Sequence, residues 1–326
     1  VSTAHRLKFF ILPLPRARPS APPFSGSAPQ CFLNAFFPTM SSASYIAVAV
    51  NAARRAAAEI SRAASDIDLV QVENKAVNDF VTSADRASEE IIVRTLQQTY
   101  PKHAILTEEA GMIGSEKSPY LWIIDPIDGT LNFMHGIPQY AISIALAYKG
   151  EVVVGVIYDV AKNELFTAAK GEGAFLNQRR IRVSTNIDMN RAVIGTGFPF
   201  RRGSDFKGYM QSFLRVAERT AGIRRPGSAA LDLAWVAAGR YDGFWEKGLK
   251  KWDCAAGGLM VLEAGGLITD LTGGENWLET GDICAGSPKI FAKLLPLVGT
   301  LAKPEAAEKK TLSTKPAAKA EKPAAE

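Results

Sequence analysis

The sequence predicts an α+β first half, residues 40–185, joined to an α/β second half, residues 186–302. Three observations carry this. Two segments near the start place apolar residues at helical spacing. Residues 140–176 then alternate short apolar runs with tight turns, as an antiparallel meander does. Beyond about residue 190, short strand-like runs alternate with helical ones.

The first helix is expected over Ser42–Ser65, where Ile46, Val50, Ala53, Ala57 and Ile60 recur on one face. A second runs from Ser83 to Tyr100, with Ile91, Ile92 and Leu96 inward, and Pro101 ends it. Ala104–Leu106 and Tyr120–Ile124 are short buried-type strands, the latter running straight into Asp125-Pro126. Tyr140–Tyr148 and Val152–Tyr158 flank Lys149-Gly150, a two-residue hairpin turn. Leu165–Ala169 and Ala174–Leu176 complete the meander. The second half should hold strands at Val193–Gly195, Gly243–Glu246 and Leu267–Asp270. Between and after them, helices are expected at Phe206–Arg219, Ser228–Ala238, Trp252–Ala264 and Pro288–Leu297.

The ends differ in composition from this middle. Residues 1–39 hold Arg6, Lys8, Arg16 and Arg18 without an acid, and the chain starts with Val1. They are expected to be a disordered extension or an upstream start. Residues 303–326 are almost entirely Ala, Lys, Glu and Pro, a composition that buries no core, and should be disordered. These ends contribute +4 and +2 of the net charge of +5, leaving the middle at −1. The basic pI of about 9.0 is therefore weak support for a polyanion partner. The three cysteines, Cys31, Cys254 and Cys284, show no metal-ligand spacing and suit a reducing, cytoplasmic compartment. No run is long and apolar enough to span a membrane.

Chemistry begins at Asp125-Pro-Ile-Asp-Gly-Thr130. An apolar strand delivers two carboxylates on a turn stiffened by Pro126 and permitted by Gly129. Hard cations such as Mg²⁺ prefer carboxylate and carbonyl oxygens, so Asp125 and Asp128 could share one. The Gly129 and Thr130 amides could receive a phosphate. Asp-Pro and Asp-Gly are also ordinary turn pairs, and each alone would say little. Asp85 with Thr82 has capping-box spacing ahead of the second helix, and Asp253 stands where an N-cap is common.

The segment 125–130 resembles the first signature of the inositol monophosphatase family, and Lys251-Trp-Asp-Cys-Ala-Ala-Gly-Gly258 resembles the second. Leu106-Thr-Glu-Glu-Ala-Gly111 and Asn78-Asp-Phe-Val-Thr-Ser-Ala-Asp85 are similar to two further motifs, in the family's order. The match spans about Ser42–Val298 and is nearest the bacterial branch called extragenic suppressor proteins. It implies a layered α-β-α-β-α sandwich and Mg²⁺-dependent, lithium-sensitive hydrolysis of myo-inositol monophosphate without a phosphoenzyme. It implies two or three Mg²⁺ held by Glu108, Asp125, the Ile127 carbonyl, Asp128 and Asp253. Asp85 and Thr130 would polarise the attacking water with Glu108, and Glu109 would be a bystander. Gly129, Thr130, Gly227, Ser228, Ala229, Glu246 and Asp253 would contact substrate, with Lys75 and Asp79 as further candidates. Asp232 reads as a helix-face residue near this pocket. A homodimer is the usual state in the family.

Two other readings accompany this one. Relatives sharing the metal motif act on other small phosphate esters. Members of the bacterial branch assist ribosomal RNA transcription and processing, which would make antitermination factors or RNA polymerase the partners. Arg179-Arg-Ile-Arg182, Arg201-Arg202 and Arg224-Arg225 are the exposed basic candidates for that role.

Overall fold

Helix α1 (Ser42–Ser65) buries a stripe of Tyr45, Ala49, Ala52, Ala53, Ala56, Ala57 and Ile60. Its alanines favour the helix and let α2 approach closely. This is a computed structural model, which describes residues 41–76, 79–199 and 205–299. After α1 the chain makes an antiparallel hairpin of β1 (Val72–Ala76) and β2 (Asp79–Thr82). No strand is expected here from the sequence, because Val-Glu-Asn-Lys-Ala offers almost no apolar alternation. Helix α2 (Ser83–Thr99) follows at once, its N-terminus closed by a capping box between Thr82 and Asp85.

The strands β3 (Ala104–Thr107), β4 (Gly111–Ile113) and β5 (Tyr120–Asp128) come next. The short helix α3 (Thr130–Met134) separates them from the meander. That meander comprises β6 (Ala141–Tyr148), β7 (Glu151–Asp159), β8 (Glu164–Ala169), β9 (Gly173–Leu176) and β10 (Arg179–Arg180). Together they form an eight-stranded sheet ordered β10-β9-β8-β7-β6-β5-β3-β4. Only the β3–β5 pair is parallel. Strand β6 is buried on both faces: Ile142, Ile144 and Leu146 meet the α1/α2 side, while Ala141, Ala145 and Ala147 meet the other. Small residues on that second face allow close packing, and at Gly155 of β7 a Cβ would lie 2.9 Å from the Ala256 carbonyl.

The second half begins with β11 (Val193–Thr196), α4 (Phe206–Ala217) and β12 (Gly222–Arg224). Then come α5 (Ala229–Ala237), β13 (Gly243–Glu246), α6 (Lys251–Glu263) and β14 (Leu267–Thr269). Last are α7 (Trp277–Thr280), β15 (Ile283–Gly286) and α8 (Pro288–Val298). The five-stranded sheet is ordered β12-β11-β13-β15-β14. Its β12, β11 and β13 run parallel, as strand–helix alternation predicts, but β15 enters antiparallel between β13 and β14. Strand β15 is not expected from the sequence, since the four residues Ile-Cys-Ala-Gly show neither period.

The layers follow from the contacts. Helices α1 and α2 cover one face of the large sheet. Helices α5 and α6 fill the space between the two sheets, which is why both are apolar nearly all round. Helices α4 and α8 close the far side of the small sheet. The result is the expected α-β-α-β-α sandwich.

Candidate active site

The expected strand at Tyr120–Ile124 continues to Asp128 instead of ending in a turn. Asp125 pairs with Ser143 and Asp128 with Ala141, so β5 carries one extra residue between them. In a regular strand, residues three apart face opposite sides of the sheet. The bulge around Pro126 and Ile127 cancels that alternation and brings both carboxylates to one cleft. Asp253, in the first turn of α6, arrives from the middle layer, and among the described residues Asp125, Asp128 and Asp253 place ligand oxygens within 4.8 Å of one another. Glu108 and the Ile127 position line the same cleft of about 530 Å³.

Each carboxylate is held. Asp125 accepts from the Ile127 amide at 3.0 Å. Asp128 accepts from the Ser228 hydroxyl at 2.6 Å and the Ala230 amide at 2.7 Å. Asp253 accepts from the Lys250 amide at 2.7 Å. It is the third residue of α6 and not the N-cap expected from the sequence, because the helix starts three residues earlier than a cap at 253 requires. Burial, followed by the charges of Glu108, Asp128 and Asp253, pushes the Asp125 carboxyl well above its ordinary range. Burial likewise pushes Asp128 up to about 6, against the lowering effect of its Ser228 bond. Such a cluster holds its protons unless a cation replaces them. The donor set, all carboxylate and carbonyl oxygen, suits a hard divalent cation.

Thr130 and Asp85, far apart in sequence, meet here. The Thr130 hydroxyl lies 3.0 Å from Asp85 Oδ1 and 3.0 Å from the Ile127 carbonyl, and can donate its proton to one of them at a time. Asp85 Oδ2 meanwhile accepts from the Thr82 amide and hydroxyl, so capping and contact with Thr130 use different oxygens. Burial raises Asp85 to about 6. Gly129 caps α3 at φ 98°, and a Cβ there would lie 2.8 Å from the Gln139 carbonyl, so only glycine fits.

The substrate-side residues form the opposite wall. Gly227, Ser228 and Ala229 lead into α5, and Glu246 ends β13 against Gly197. Ser228 directs its hydroxyl to Asp128, which the sequence did not foretell. Asp232 also lines the cleft, is buried, and is held well above the ordinary carboxyl range by burial and then by Glu246. Arg225 reaches this wall with its guanidinium 5.6 Å from the Phe198 ring centroid. The Lys75 and Asp79 side chains and Arg201-Arg202 lie outside the described residues. Arg179, Arg180 and Arg182 are exposed at and beyond the edge strand β10.

Asn132 also serves the site, unmarked by the sequence. Its amide nitrogen is 2.8 Å from both the Gln139 and Pro226 carbonyls, which ties α3 to the turn before Gly227. No spacing signal marks it. Glu89 and Ser88 were legible in principle. They share the buried stripe of α2 with Asp85, Ile92 and Leu96, and polar residues on a buried stripe need partners.

No helix among the described residues is long and apolar enough to cross a membrane. Residues 41–302 match the model of the inositol monophosphatase family. The chain is 49% identical over 255 residues to the Nus factor SuhB of Pseudomonas aeruginosa, covering 77% of this chain and 94% of that protein. The extragenic suppressor protein suhB of Bartonella henselae superposes with a TM-score of 0.76 at 45% identity, covering 79% of this chain and 99% of that one. The inositol monophosphatase of Anabaena superposes with a TM-score of 0.70 at 37% identity, covering 78% and 95%. The fold, the four motifs and these likenesses agree: the chain belongs to the inositol monophosphatase family.

Proposed function

We propose that the chain hydrolyses a small phosphate monoester, myo-inositol monophosphate by preference, with Mg²⁺ as cofactor. The observation that supports this most is the convergence of Asp125, Asp128 and Asp253 beside the Thr130–Asp85 pair. Glu108, Asp125, the Ile127 carbonyl, Asp128 and Asp253 would hold the cation. When bound, Mg²⁺ would supply Lewis acidity and offset charge on the leaving oxygen.

The chain's own residues would do the rest. The start of α3, at Gly129 and Thr130, faces the cleft and would receive the phosphate oxygens. Thr130 Oγ would accept a proton from the attacking water while its own passes to Asp85 Oδ1, whose proton affinity burial has raised. Glu246 would accept hydrogen bonds from ring hydroxyls of the polyol. Ser228 would act indirectly, by fixing Asp128.

The test is phosphate release from a panel of esters at several Mg²⁺ concentrations. Preference for inositol monophosphate supports the reading. Absence of Mg²⁺-dependent release from every ester would overturn it.

A second reading has its own support, the Nus factor name of a relative at 49% identity. It would make transcription-antitermination factors partners of this chain. Pull-down with purified antitermination factors tests it, and an Asp253→Asn chain that still binds them would separate the two roles.

A further inference from the structure

Glu89 is a buried acid on α2, one turn beyond Asp85, and it has no role in the mechanism above. Among the described residues, its hydrogen-bond donors bracket Glu108. Thr107 Oγ1 donates to Glu89 Oε2 at 2.5 Å and the Glu109 amide donates to the same oxygen at 3.0 Å. The Ala110 amide donates to Oε1 at 3.1 Å. The residue before Glu108 and the two after it are therefore fixed by one carboxylate.

The neighbouring residues of α2 make the same kind of contact. Asp85 holds Thr130, and Ser88 donates to the Pro126 carbonyl at 3.0 Å, inside the bulge between Asp125 and Asp128. Positions 85, 88 and 89 lie on one helical face, so a single rigid helix grips the three chain segments that build the cleft floor. Glu108 sits in a turn between the short strands β3 and β4, where backbone freedom would otherwise be large.

We propose that Glu89 is a positioning residue that sets the backbone of the Glu108 turn and so aims Glu108 at the cation. This rests on the reading above, in which Glu108 is a ligand. Groups that orient ligands typically govern metal affinity by about ten- to a hundredfold.

The experiment is calorimetric titration of Mg²⁺ into the unaltered chain, Glu89→Gln, Glu89→Asp and Thr107→Val, with amide hydrogen exchange on each. Glu89→Gln and Glu89→Asp should both raise the Mg²⁺ dissociation constant about ten- to a hundredfold, and exchange at Glu109 and Ala110 should accelerate. Thr107→Val, which keeps every charge, should shift affinity in the same direction by less. If Glu89→Gln weakens binding and Glu89→Asp does not, charge alone matters and the proposal fails. A lower melting temperature with unchanged Mg²⁺ affinity would also overturn it, because the role would be structural only. Should the Glu89 variants not fold, an unshifted affinity in Thr107→Val would overturn it. If the unaltered chain itself binds no Mg²⁺, the cation reading fails and not this inference alone.

Discussion

If Thr130 and Asp85 form one proton relay, removing either should break it once. The perturbations are Thr130→Ala and Asp85→Asn, singly and together. Thr130 Oγ and Asp85 Oδ1 are 3.0 Å apart and Asp85 is fully buried, so their bond belongs to the charged class worth about 1.5–3 kcal/mol. At about 1.4 kcal/mol per tenfold in rate, each single change should lower kcat roughly 10- to 150-fold. KM should change little, since the relay acts in the chemical step. The structure makes Asp85→Asn informative. Asn can keep an oxygen toward the Thr82 amide, preserving the cap, while presenting an N–H to Thr130. The assay is steady-state phosphate release at saturating Mg²⁺ and substrate, analysed as a double-mutant cycle. The double variant should be hardly slower than the slower single one. Losses that multiply would mean the residues act independently. A lower melting temperature with unchanged kcat would assign Asp85 to capping only.

Asp253→Asn should lower turnover by about two orders of magnitude or more with the fold intact, because charge stabilisation of the transition state is usually the largest contribution. Near-normal turnover would assign Asp253 a structural role, such as its bond to the Lys250 amide. Asp128 is pushed up to about 6 from 3.8 by burial, so its share of stability is full below pH 3.8 and is lost as pH rises through 6. In a chelator, the melting temperature of the unaltered chain should therefore fall relative to Asp128→Asn across that window; parallel curves would refute this. His103 works in the opposite sense. Burial lowers its pKa from 6.5, and its Nδ1 accepts from the Trp122 indole at 3.2 Å between the stacked rings of Tyr100 and Tyr120. Its contribution is full above pH 6.5 and is lost as pH falls further, so His103→Phe should be less acid-sensitive than the unaltered chain in thermal melts.

The helices α1, α2 and α6 and the meander β6–β9 were legible because each is long enough to show its period. Asp125 and Asp128 were legible as a candidate pair because an apolar strand runs directly into them. The sequence could not show why they share a face: that depends on a single extra residue in the pairing of β5 with β6, which exists only once β6 is placed. Strands β1, β2 and β15 were missed because short polar or small-residue segments become strands through their neighbours, not their own pattern. The same holds for the polar contacts. Asn132 to Pro226, Ser228 to Asp128, Thr130 to Asp85 and Glu89 to the Glu108 turn all join distant segments. Local periodicity records which face of an element is apolar. It cannot record which buried polar group will find which partner, because that is decided by how the layers meet.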